Sequence, residues 1–425
     1  MREQPIDLYR PSERIQVFKT KLSTDGCRAL EPGLFFTPSM TLLQAPTSFI
    51  RERYVENGES PSPETWEAAA YALQSWFEFL PQIGIRDWTT ASRSDLIQYR
   101  DAYQVAISPK TGAAYAPITI RNRVAVILHF YQHNSKKYSG DLLEGSITLD
   151  EFRDGSSVTV STTGSVRTTV KGIGPKVRLN RRGVRPFLTR ELQAFLKAAG
   201  PQAANRDGDE RPSRNRLLAD FMWAVGLRLS EALGLTIFQI LSICPDPQAP
   251  LLEYPLTILG KGGVERVVGV PSWLIQDATA YIEGERKECV AAGNPGQRPT
   301  PRLFLASQDS NAPGSAISER RVEQIVEEIC RKAGLLKSVE RVDPETGDVR
   351  HEFKSSHCVH DLRHTYAVLT YWSEKMAGNP EPWKKVQAQL GHARLSTTIN
   401  TYLSFVEIFD GQEKIVDTRR LIFGE

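Results

Sequence analysis

Five polar or ionisable side chains in the second half of this 425-residue chain have the types that phosphodiester chemistry needs. They are Arg228, His360, Arg363, His392 and Tyr402. Two guanidinium forks can hold a phosphate, two imidazoles can move protons, and one phenol can supply an oxygen nucleophile. The set therefore predicts chemistry on a phosphate that requires no metal.

The upstream candidates have ordinary interpretations as well as functional ones. Arg228 lies three residues before Glu231, and taken alone it fits a buried ion pair as well as a phosphate clamp. Lys261 lies at the tip of a glycine-rich turn, 260–263, where a lysine is usually solvated. On such a turn it could also reach a leaving oxygen and protonate it as a general acid.

His360 and Arg363 are three residues apart at a predicted helix start, which places both side chains on one face. Both could therefore contact one phosphate. His357 and His364 complete a spacing that is also seen in metal sites, but no cysteine pair supports one and Arg363 would repel a dication. We therefore expect no metal, and we assign His364 to a buried face or a supporting position.

The last two candidates are unremarkable when taken singly. His392 follows Gly391, where a glycine can end a helix, and Tyr402 lies about two turns into the next predicted helix. A capping or core role would suit each of them alone. Chemistry is favoured by their joint occurrence, in this order, downstream of the arginine and histidine candidates.

The elements that must position these residues are mostly helical. Apolar residues recur every three or four positions in most segments, whereas two short runs rich in β-branched residues flank the turn that carries Lys261. The predicted helices are 62–80, 94–104, one from 119, one from 189 through 196, one carrying 217–225, 318–332, 361–374, 383–390 and 396–405. The predicted strands are 256–259 and 266–270, and 343–347 is a predicted turn.

Basic residues are unevenly distributed, although the net charge is only +3. From 155 to 190 the chain has no acidic residue, so this segment could follow a phosphate backbone and release counterions. A solvated linker and a solvated helix face remain alternatives. The candidate DNA contacts are Arg121, Arg123, Lys136 and Lys137 at the third helix, and Arg178, Arg181 and Arg182 in the basic segment.

Length and composition indicate a cytoplasmic protein of two or three domains. Five scattered cysteines without a close pair indicate reduced thiols, and neither a signal peptide nor a membrane-spanning run is visible. The predicted divisions are an irregular N-terminal extension (1–44), a helical DNA-binding domain (45–140), a basic interdomain linker (141–186), a catalytic domain (187–407) and a C-terminal tail that could dock in trans (408–425).

Taken together, the motifs resemble the tyrosine recombinase (phage integrase) family. The resemblance implies a mainly α fold with a small β-sheet, in which an N-terminal helical core-binding (SAM-like) domain precedes a mixed α/β catalytic domain. It covers about 187–405, and more weakly 42–137. The segments that carry it are 226–233, 259–262, 360–365, 390–392 and 397–402.

The same resemblance implies a mechanism. Tyr402 would attack the scissile phosphate of duplex DNA, forming a 3′-phosphotyrosyl bond and freeing a 5′-hydroxyl, while His360 accepts the phenolic proton. Arg228 and Arg363 would stabilise the pentacoordinate phosphorus, and His392 would donate a further hydrogen bond. Lys261 would protonate the leaving oxygen as a general acid. Glu231 would orient an arginine or an imidazole.

The implied partner is double-stranded DNA with a specific recombination site, bound by a homo-oligomer that is a tetramer on DNA. Accessory DNA-bending or directionality factors are left open, and no cofactor or membrane is expected. The long chain favours integration, excision or transposition of a mobile element. The alternatives are an Xer-like chromosome or plasmid resolution recombinase, a type IB topoisomerase-like enzyme and a catalytically silent DNA-binding protein.

Overall fold

Most of the chain is described by the computed structural model. The chain divides into two compact units, Met1–Asn180 with Glu340–His351 and Arg181–Val339 with Glu352–Glu425, and each is described by itself. The described residues are 14–24, 27–56, 63–108, 111–137, 159–160, 166–167, 185–260, 264–293, 299–343, 346–392, 394–396, 398–399 and 401–402.

The first unit combines helices with small antiparallel strand pairs. In the longest pair, β1 with β2, Gln16 lies opposite Phe36 and Thr24 opposite Cys27. The strands are β1 (Gln16–Thr24), β2 (Cys27–Phe36), β3 (Ile107–Ser108), β4 (Ala113–Ala114), β5 (Thr159–Val160) and β6 (Val166–Arg167). The helices are α1 (Gln44–Ile50), α2 (Pro63–Phe79), α3 (Arg93–Val105) and α4 (Pro117–Lys137).

The three predicted helices of this unit are confirmed close to their predicted bounds as α2, α3 and α4. The apolar residues that predicted α2, among them Leu73 and Phe77, are buried on one face of the helix. Helix α3 begins where Ser92 donates its backbone N–H to the Asp95 carboxylate at 2.7 Å. Such a cap satisfies a donor that the helix itself leaves unpaired, so the start of α3 is set locally.

The prediction that residues 1–44 form an irregular extension is wrong for the part that the structure describes. Ile15 and Phe35, both at the open end of the β1–β2 hairpin, are buried in the same core as α2. The backbone N–H of Ile15 donates to Glu78 Oε1 at 3.1 Å, and Gln74 donates to the Ile15 carbonyl at 2.8 Å. The hairpin was not predicted from the sequence because β2 contains a proline and a glycine, which argue against a strand.

The second unit is built around α6, a helix that is buried along almost its whole length. Nine α-helices with fully described bounds and one whole hairpin lie in this unit, and residues 395–396, 398–399 and 401–402 are also helical. A second hairpin belongs to this unit only at 336–339 and 352–355. The helices are α5 (Thr189–Ala199), α6 (Ser213–Ala224), α7 (Leu229–Gly234), α8 (Ile237–Leu241), α9 (Ser272–Glu283), α10 (Glu285–Ala291), α11 (Glu319–Lys332), α12 (Val359–Met376) and α13 (Pro382–Leu390). The strands are β7 (Glu253–Leu259), β8 (Glu265–Pro271), β9 (Leu336–Val342) and β10 (Val349–Ser355).

The predicted fold class, mainly α with small sheets, is confirmed. Strands β7 and β8 pair antiparallel across the predicted turn, with Leu259 opposite Glu265. Strands β9 and β10 pair on either side of the predicted 343–347 turn, but the sequence did not predict them as strands because charged residues interrupt their alternation. Among the helices described, none combines the length and the apolar character needed to cross a bilayer.

Inside α6, the Asp220 carboxylate is fully buried and paired. Arg216, one turn earlier, donates from Nε to both carboxylate oxygens at 3.0 Å, and the Trp223 indole donates at 2.6 Å. Removing one partner of a buried pair leaves the other charge without compensation, which destabilises a fold far more than loss of a surface pair. The Arg216–Asp220 pair is therefore a sensitive point of the second unit.

We predict that Asp220→Ala lowers the free energy of unfolding by about 3–5 kcal/mol, because Arg216 stays buried without its carboxylate. Urea unfolding followed by circular dichroism would measure the change. Glu328→Ala is the control, since its pair with Arg321 is about half exposed on both sides and should contribute less than about 1 kcal/mol. Similar losses in the two variants would contradict the prediction.

Candidate active site

Arg228 is the N-cap residue of α7, and it is held by the glutamate three residues later. Its backbone N–H donates to Glu231 Oε2 at 2.8 Å and its guanidinium donates to Oε1 at 2.7 Å. The preceding turn uses Gly226, whose φ of +76° is strained for other residues and where a Cβ would lie 2.4 Å from the Tyr366 ring. The main chain therefore holds Arg228 at the helix start, while its side chain stays about one third exposed.

Glu231 is the carboxylate on which the site converges. Its side chain is 1% exposed, and its oxygens also accept two hydrogen bonds from Arg266, that from Nη2 at 2.9 Å. Arg363 Nη1 lies 3.6 Å from Glu231 Oε2. Burial opposes ionisation, but the hydrogen bonds from Arg266 and Arg228 outweigh it and lower the pKa of Glu231 to about 2. The carboxylate is therefore charged throughout the physiological range.

Arg266 is a member of the site that no motif predicted. It lies on β8 directly opposite Ile258 of β7, on the face where Val268 and Val270 are buried. The sequence did contain a signal for this residue. An arginine at every-second-residue spacing from apolar valines lies on their buried face of the strand and needs a partner inside the fold. The partner is Glu231, which the sequence linked only to Arg228 or to an imidazole.

Arg363 lies on α12 and is almost completely buried. Its two terminal nitrogens donate to the backbone carbonyls of Gly226 and Leu390, each at 2.5 Å. Burial and the charge of Arg228 lower the pKa of Arg363 to about 10, which still leaves it protonated at neutral pH. One guanidinium thus connects the turn before Arg228 with the end of α13.

Tyr402, the predicted nucleophile, is buried, and its phenol contacts a histidine. The hydroxyl lies 2.9 Å from His364 Nδ1. Burial raises the pKa of Tyr402 to about 12, although the charges of Arg363 and Arg228 act in the opposite direction. Burial, followed by the charge on His360, lowers the pKa of His364 to about 4, so the imidazole is neutral at pH 7. The phenol donates to Nδ1 when the ring proton is on Nε2.

The histidine that contacts the phenol differs from the one that the family resemblance implied. Among the described residues, His364 makes the hydrogen bond to Tyr402, whereas the exposed His360 packs edge-on against His364 with ring centroids 4.7 Å apart. Burial and the charge of Arg363 lower the pKa of His360. His360 and His364 are one helical turn apart, so only the position of the Tyr402 segment decides which of them meets the phenol.

His392 lies just after the C-cap of α13, where Gly391 adopts a φ of +64°. Its Nδ1 is 2.8 Å from the Thr398 hydroxyl, and its ring is parallel to that of Tyr402 with centroids 6.5 Å apart. Burial, then the charges of Arg363 and Arg228, lower the pKa of His392 to about 4. A hydroxyl donated by Thr398 would leave the other ring nitrogen protonated and available as a donor.

The spacing that suggested a metal site places its histidines among different partners. His357 is buried and stacked on Phe187 with ring centroids 3.8 Å apart. Its Nε2 is 3.3 Å from Glu191 and its Nδ1 is 3.6 Å from Asp361. This arrangement joins the start of α5 to the start of α12, so His357 supports the helix that carries His360 and Arg363.

Several predicted residues lie beyond what the structure describes, or away from the site. Lys261 is outside the described residues; at the base of its loop, the Gly260 N–H donates to the Val264 carbonyl at 2.8 Å, and a Cβ on Gly260 would be 3.7 Å from Glu231. Of the predicted DNA contacts, Arg121 is exposed, while the Arg123 guanidinium lies over the rings of Tyr103 and Tyr115 at 4.8 and 4.9 Å. The side chains of Lys136 and Lys137, and all of Arg178, Arg181 and Arg182, are outside the description.

We predict that the Glu231 bridge stabilises the second unit in a pH-dependent way. Because the folded-state pKa lies near 2, below the ordinary value of 4.5, this stabilisation is complete above about pH 4.5 and is lost as the pH falls toward 2. Glu231→Gln should lower the free energy of unfolding by about 3 kcal/mol at pH 7, and by less at pH 3. Urea unfolding at both pH values measures this, with the exposed Glu381→Gln as the control; a gap that does not depend on pH would contradict the prediction.

The chain also matches known proteins in sequence and in fold. Residues 189–406, just over half of the chain, match the model of the phage integrase family. Tyrosine recombinase XerD of Mycobacterium leprae is 28% identical over 208 residues, which are 49% of this chain and 53% of that protein. Tyrosine recombinase XerC of Lactobacillus delbrueckii subsp. bulgaricus is 29% identical over 362 residues, 83% of this chain and 92% of that protein. The chain spans about half the length of several other curated relatives that it matches.

Among solved structures, the chain is similar to the XerH site-specific recombinase bound to palindromic difH substrate in a post-cleavage complex. The TM-score is 0.51 at 20% identity, and the match covers 84% of this chain and 82% of that one. At this identity the likeness concerns the fold, which agrees with the predicted fold class. With the family model matched across the residues that form the site, the chain belongs to the phage integrase family.

Proposed function

We propose that this chain is a site-specific tyrosine recombinase, which cuts and rejoins duplex DNA through a 3′-phosphotyrosyl intermediate. One observation carries the proposal: the Tyr402 phenol lies in the electrostatic field of Arg363 and Arg228 while it is hydrogen-bonded to a neutral histidine. A nucleophile, a proton acceptor and a phosphate-binding pair are thereby combined in one place. Family membership and relatives named tyrosine recombinases support the proposal.

The charge of the site suits a phosphodiester that becomes more negative as it reacts. Arg228, Arg266 and Arg363 surround the single carboxylate of Glu231, which leaves two positive charges uncompensated. A phosphodiester carries one negative charge, and its pentacoordinate transition state carries approximately two. Groups fixed in advance around a charge that develops during reaction stabilise the transition state more than the ground state.

Proton transfer from Tyr402 is assigned to His364, against which His360 packs edge-on. At rest the transfer is unfavourable by on the order of 10 kcal/mol, given a phenol pKa of about 12 and an imidazole pKa of about 4. The proton must therefore move as the oxygen–phosphorus bond forms, because the phenolic oxygen then becomes an ester oxygen and loses its basicity. His392 would hydrogen-bond a non-bridging oxygen, and Lys261 would protonate the 5′-oxygen as it leaves.

The phosphotyrosyl ester conserves the energy of the broken bond, so a 5′-hydroxyl from a second DNA strand can reverse the reaction without a nucleotide cofactor. Exchange between two sites requires two active sites on each duplex, and we therefore propose a tetramer assembled on DNA. Exposed Arg121 and the basic segment from 155 to 190 are the proposed backbone contacts. Arg123 is left out, because its guanidinium is already engaged with two tyrosine rings.

Movement of a mobile element is the biological role that we favour within this class. Residues 14–36 add a packed hairpin ahead of the helices of the first unit, a feature that a minimal two-domain recombinase would not need. The named relatives, XerC and XerD, keep chromosome or plasmid resolution as the second candidate. Relaxation of supercoiled plasmid without strand exchange would instead indicate a topoisomerase-like activity.

We predict that Tyr402→Phe abolishes covalent attachment to DNA without weakening binding, because only the attacking oxygen is removed. The probe is a nicked duplex obtained by capturing wild-type SDS-resistant complexes from a random-sequence DNA library. The variant should give no SDS-resistant complex, and its dissociation constant should stay within about threefold of wild type. If the wild type captures no DNA, the proposed function fails; if Tyr402→Phe still forms the adduct, the nucleophile is another residue.

We also predict that His364→Asn slows adduct formation more than His360→Asn does. Loss of a positioned proton acceptor typically lowers a rate by about 10²–10⁴-fold, and of the two histidines it is His364 that is hydrogen-bonded to the phenol among the described residues. In the wild type, the rate should hold down to about pH 5 and fall below that, as His364, with a pKa of about 4, becomes protonated. Single-turnover adduct formation between pH 4 and pH 8 measures both effects. A larger defect in His360→Asn would return the acceptor role to His360.

A further inference from the structure

We propose that Arg266 is a positioning residue for strand cleavage, which sets the geometry of Arg228 through Glu231 and supports the turn that carries His392. The inference rests on the proposed recombinase activity. It is drawn from the contacts of one side chain, which is 15% exposed and lies between three segments of the site.

Glu231 accepts hydrogen bonds from both Arg228 and Arg266. An ionised carboxylate offers about four lone-pair positions, and here they are filled by two donors from Arg228 and two from Arg266. Without Arg266, half of the acceptor capacity of this buried carboxylate would have no donor. Glu231 would then pair more fully with Arg228, and an arginine neutralised in that way is a weaker ligand for phosphate.

The Arg266 side chain also packs closely against the turn that carries His392. A Cβ placed on Gly391 would lie 2.7 Å from Arg266 Cδ and 2.9 Å from its Nε, so the glycine backbone lies directly on the arginine side chain. That Nε is buried and has no hydrogen-bond partner among the described residues. The guanidinium therefore uses its two terminal nitrogens for Glu231 and turns its remaining edge toward Gly391.

The strand that carries Arg266 is itself hydrogen-bonded to α13. Strand β8 is fastened to α13 by Gln389, which accepts from the Gly269 N–H at 3.0 Å and donates to the Gly269 carbonyl at 2.8 Å. The end of α13 is thus attached to β8 at Gly269 and rests on it again at Arg266. A shift of Arg266 would therefore affect Arg228 and His392, two groups assigned to the reaction.

Lysine should not replace this arginine. An ammonium group is a point charge on a flexible stem and cannot bind both carboxylate oxygens in the planar, two-pronged geometry observed here. Arg266→Lys would keep the positive charge but lose the geometry. The substitution therefore separates positioning from simple charge compensation.

Adduct formation by Arg266→Lys and Arg266→Ala would test the inference, with the library-selected nicked duplex at saturating concentration. We expect the single-turnover rate to fall at least about tenfold in Arg266→Lys and further in Arg266→Ala, while the dissociation constant for DNA changes less than about threefold. Free guanidinium at about 10–50 mM should restore part of the rate of Arg266→Ala, because it can reoccupy the vacated position. Arg266→Lys covers the case in which Arg266→Ala does not fold.

Arg216→Lys is the matched control, because the Nε of Arg216 also hydrogen-bonds both oxygens of a buried carboxylate and Arg216 is similarly buried, at 11% exposure. It should lower the melting temperature without slowing adduct formation by more than about twofold. A wild-type rate in Arg266→Lys would overturn the inference, as would an equal slowing in Arg216→Lys or a parallel loss of DNA binding. Failure of the wild-type enzyme to form any adduct would instead overturn the proposed function.

Discussion

The site depends on one buried carboxylate that holds three guanidinium groups together. Two such cations about 5 Å apart repel by about 3 kcal/mol at an effective dielectric constant of about 20, so they would separate without a shared anion. Glu231 supplies that anion, and it accepts hydrogen bonds from the start of α7 and from β8 while facing Arg363 of α12. Segments far apart in the sequence are therefore brought to one point by the requirement that buried charges be paired.

Backbone carbonyls hold the third arginine of the site in place. Arg363 has almost no exposure, and its guanidinium is directed at the carbonyls of Gly226 and Leu390, since Glu231 is already occupied by two other arginines. Buried N–H donors must find acceptors, and main-chain carbonyls at a tight turn and at a helix end are the unused acceptors of a fold. Close packing also requires the glycines at these two places. A side chain on Gly226 would collide with Tyr366, and a side chain on Gly391 would collide with Arg266.

Sequence spacing predicted most of this site because its residues lie in short segments whose local geometry follows from their own types. The three-residue spacing of His360 and Arg363 and the glycine before His392 define a helix start and a helix end without any tertiary information. Arg266 escaped prediction because its role depends on a contact with Glu231, 35 residues earlier, that only the tertiary packing of β8 near the start of α7 creates. His364 was undervalued for a similar reason, since a helix face does not reveal which of its histidines a distant tyrosine will reach. On α4, the basic residue Arg123 was expected to face DNA, but two tyrosines from other segments engage it.

In the proposed mechanism, the charges that would bind phosphate also hold the proton acceptor in a weakly basic state when phosphate is absent. Arg363 and Arg228 lower the pKa of His392, and Arg363 contributes to the low pKa of His364, so the proton acceptor is weakest while both arginines lack an anion. A phosphodiester placed between the guanidinium groups offsets part of their field and raises the pKa of both imidazoles. It raises the pKa of the phenol as well, so the improved acceptor matters only once the oxygen–phosphorus bond begins to form and the phenolic oxygen loses its basicity. In the proposed mechanism, activation of Tyr402 is therefore tied to the phosphate that it would attack, and water or a neutral ligand in the same space would leave the phenol protonated.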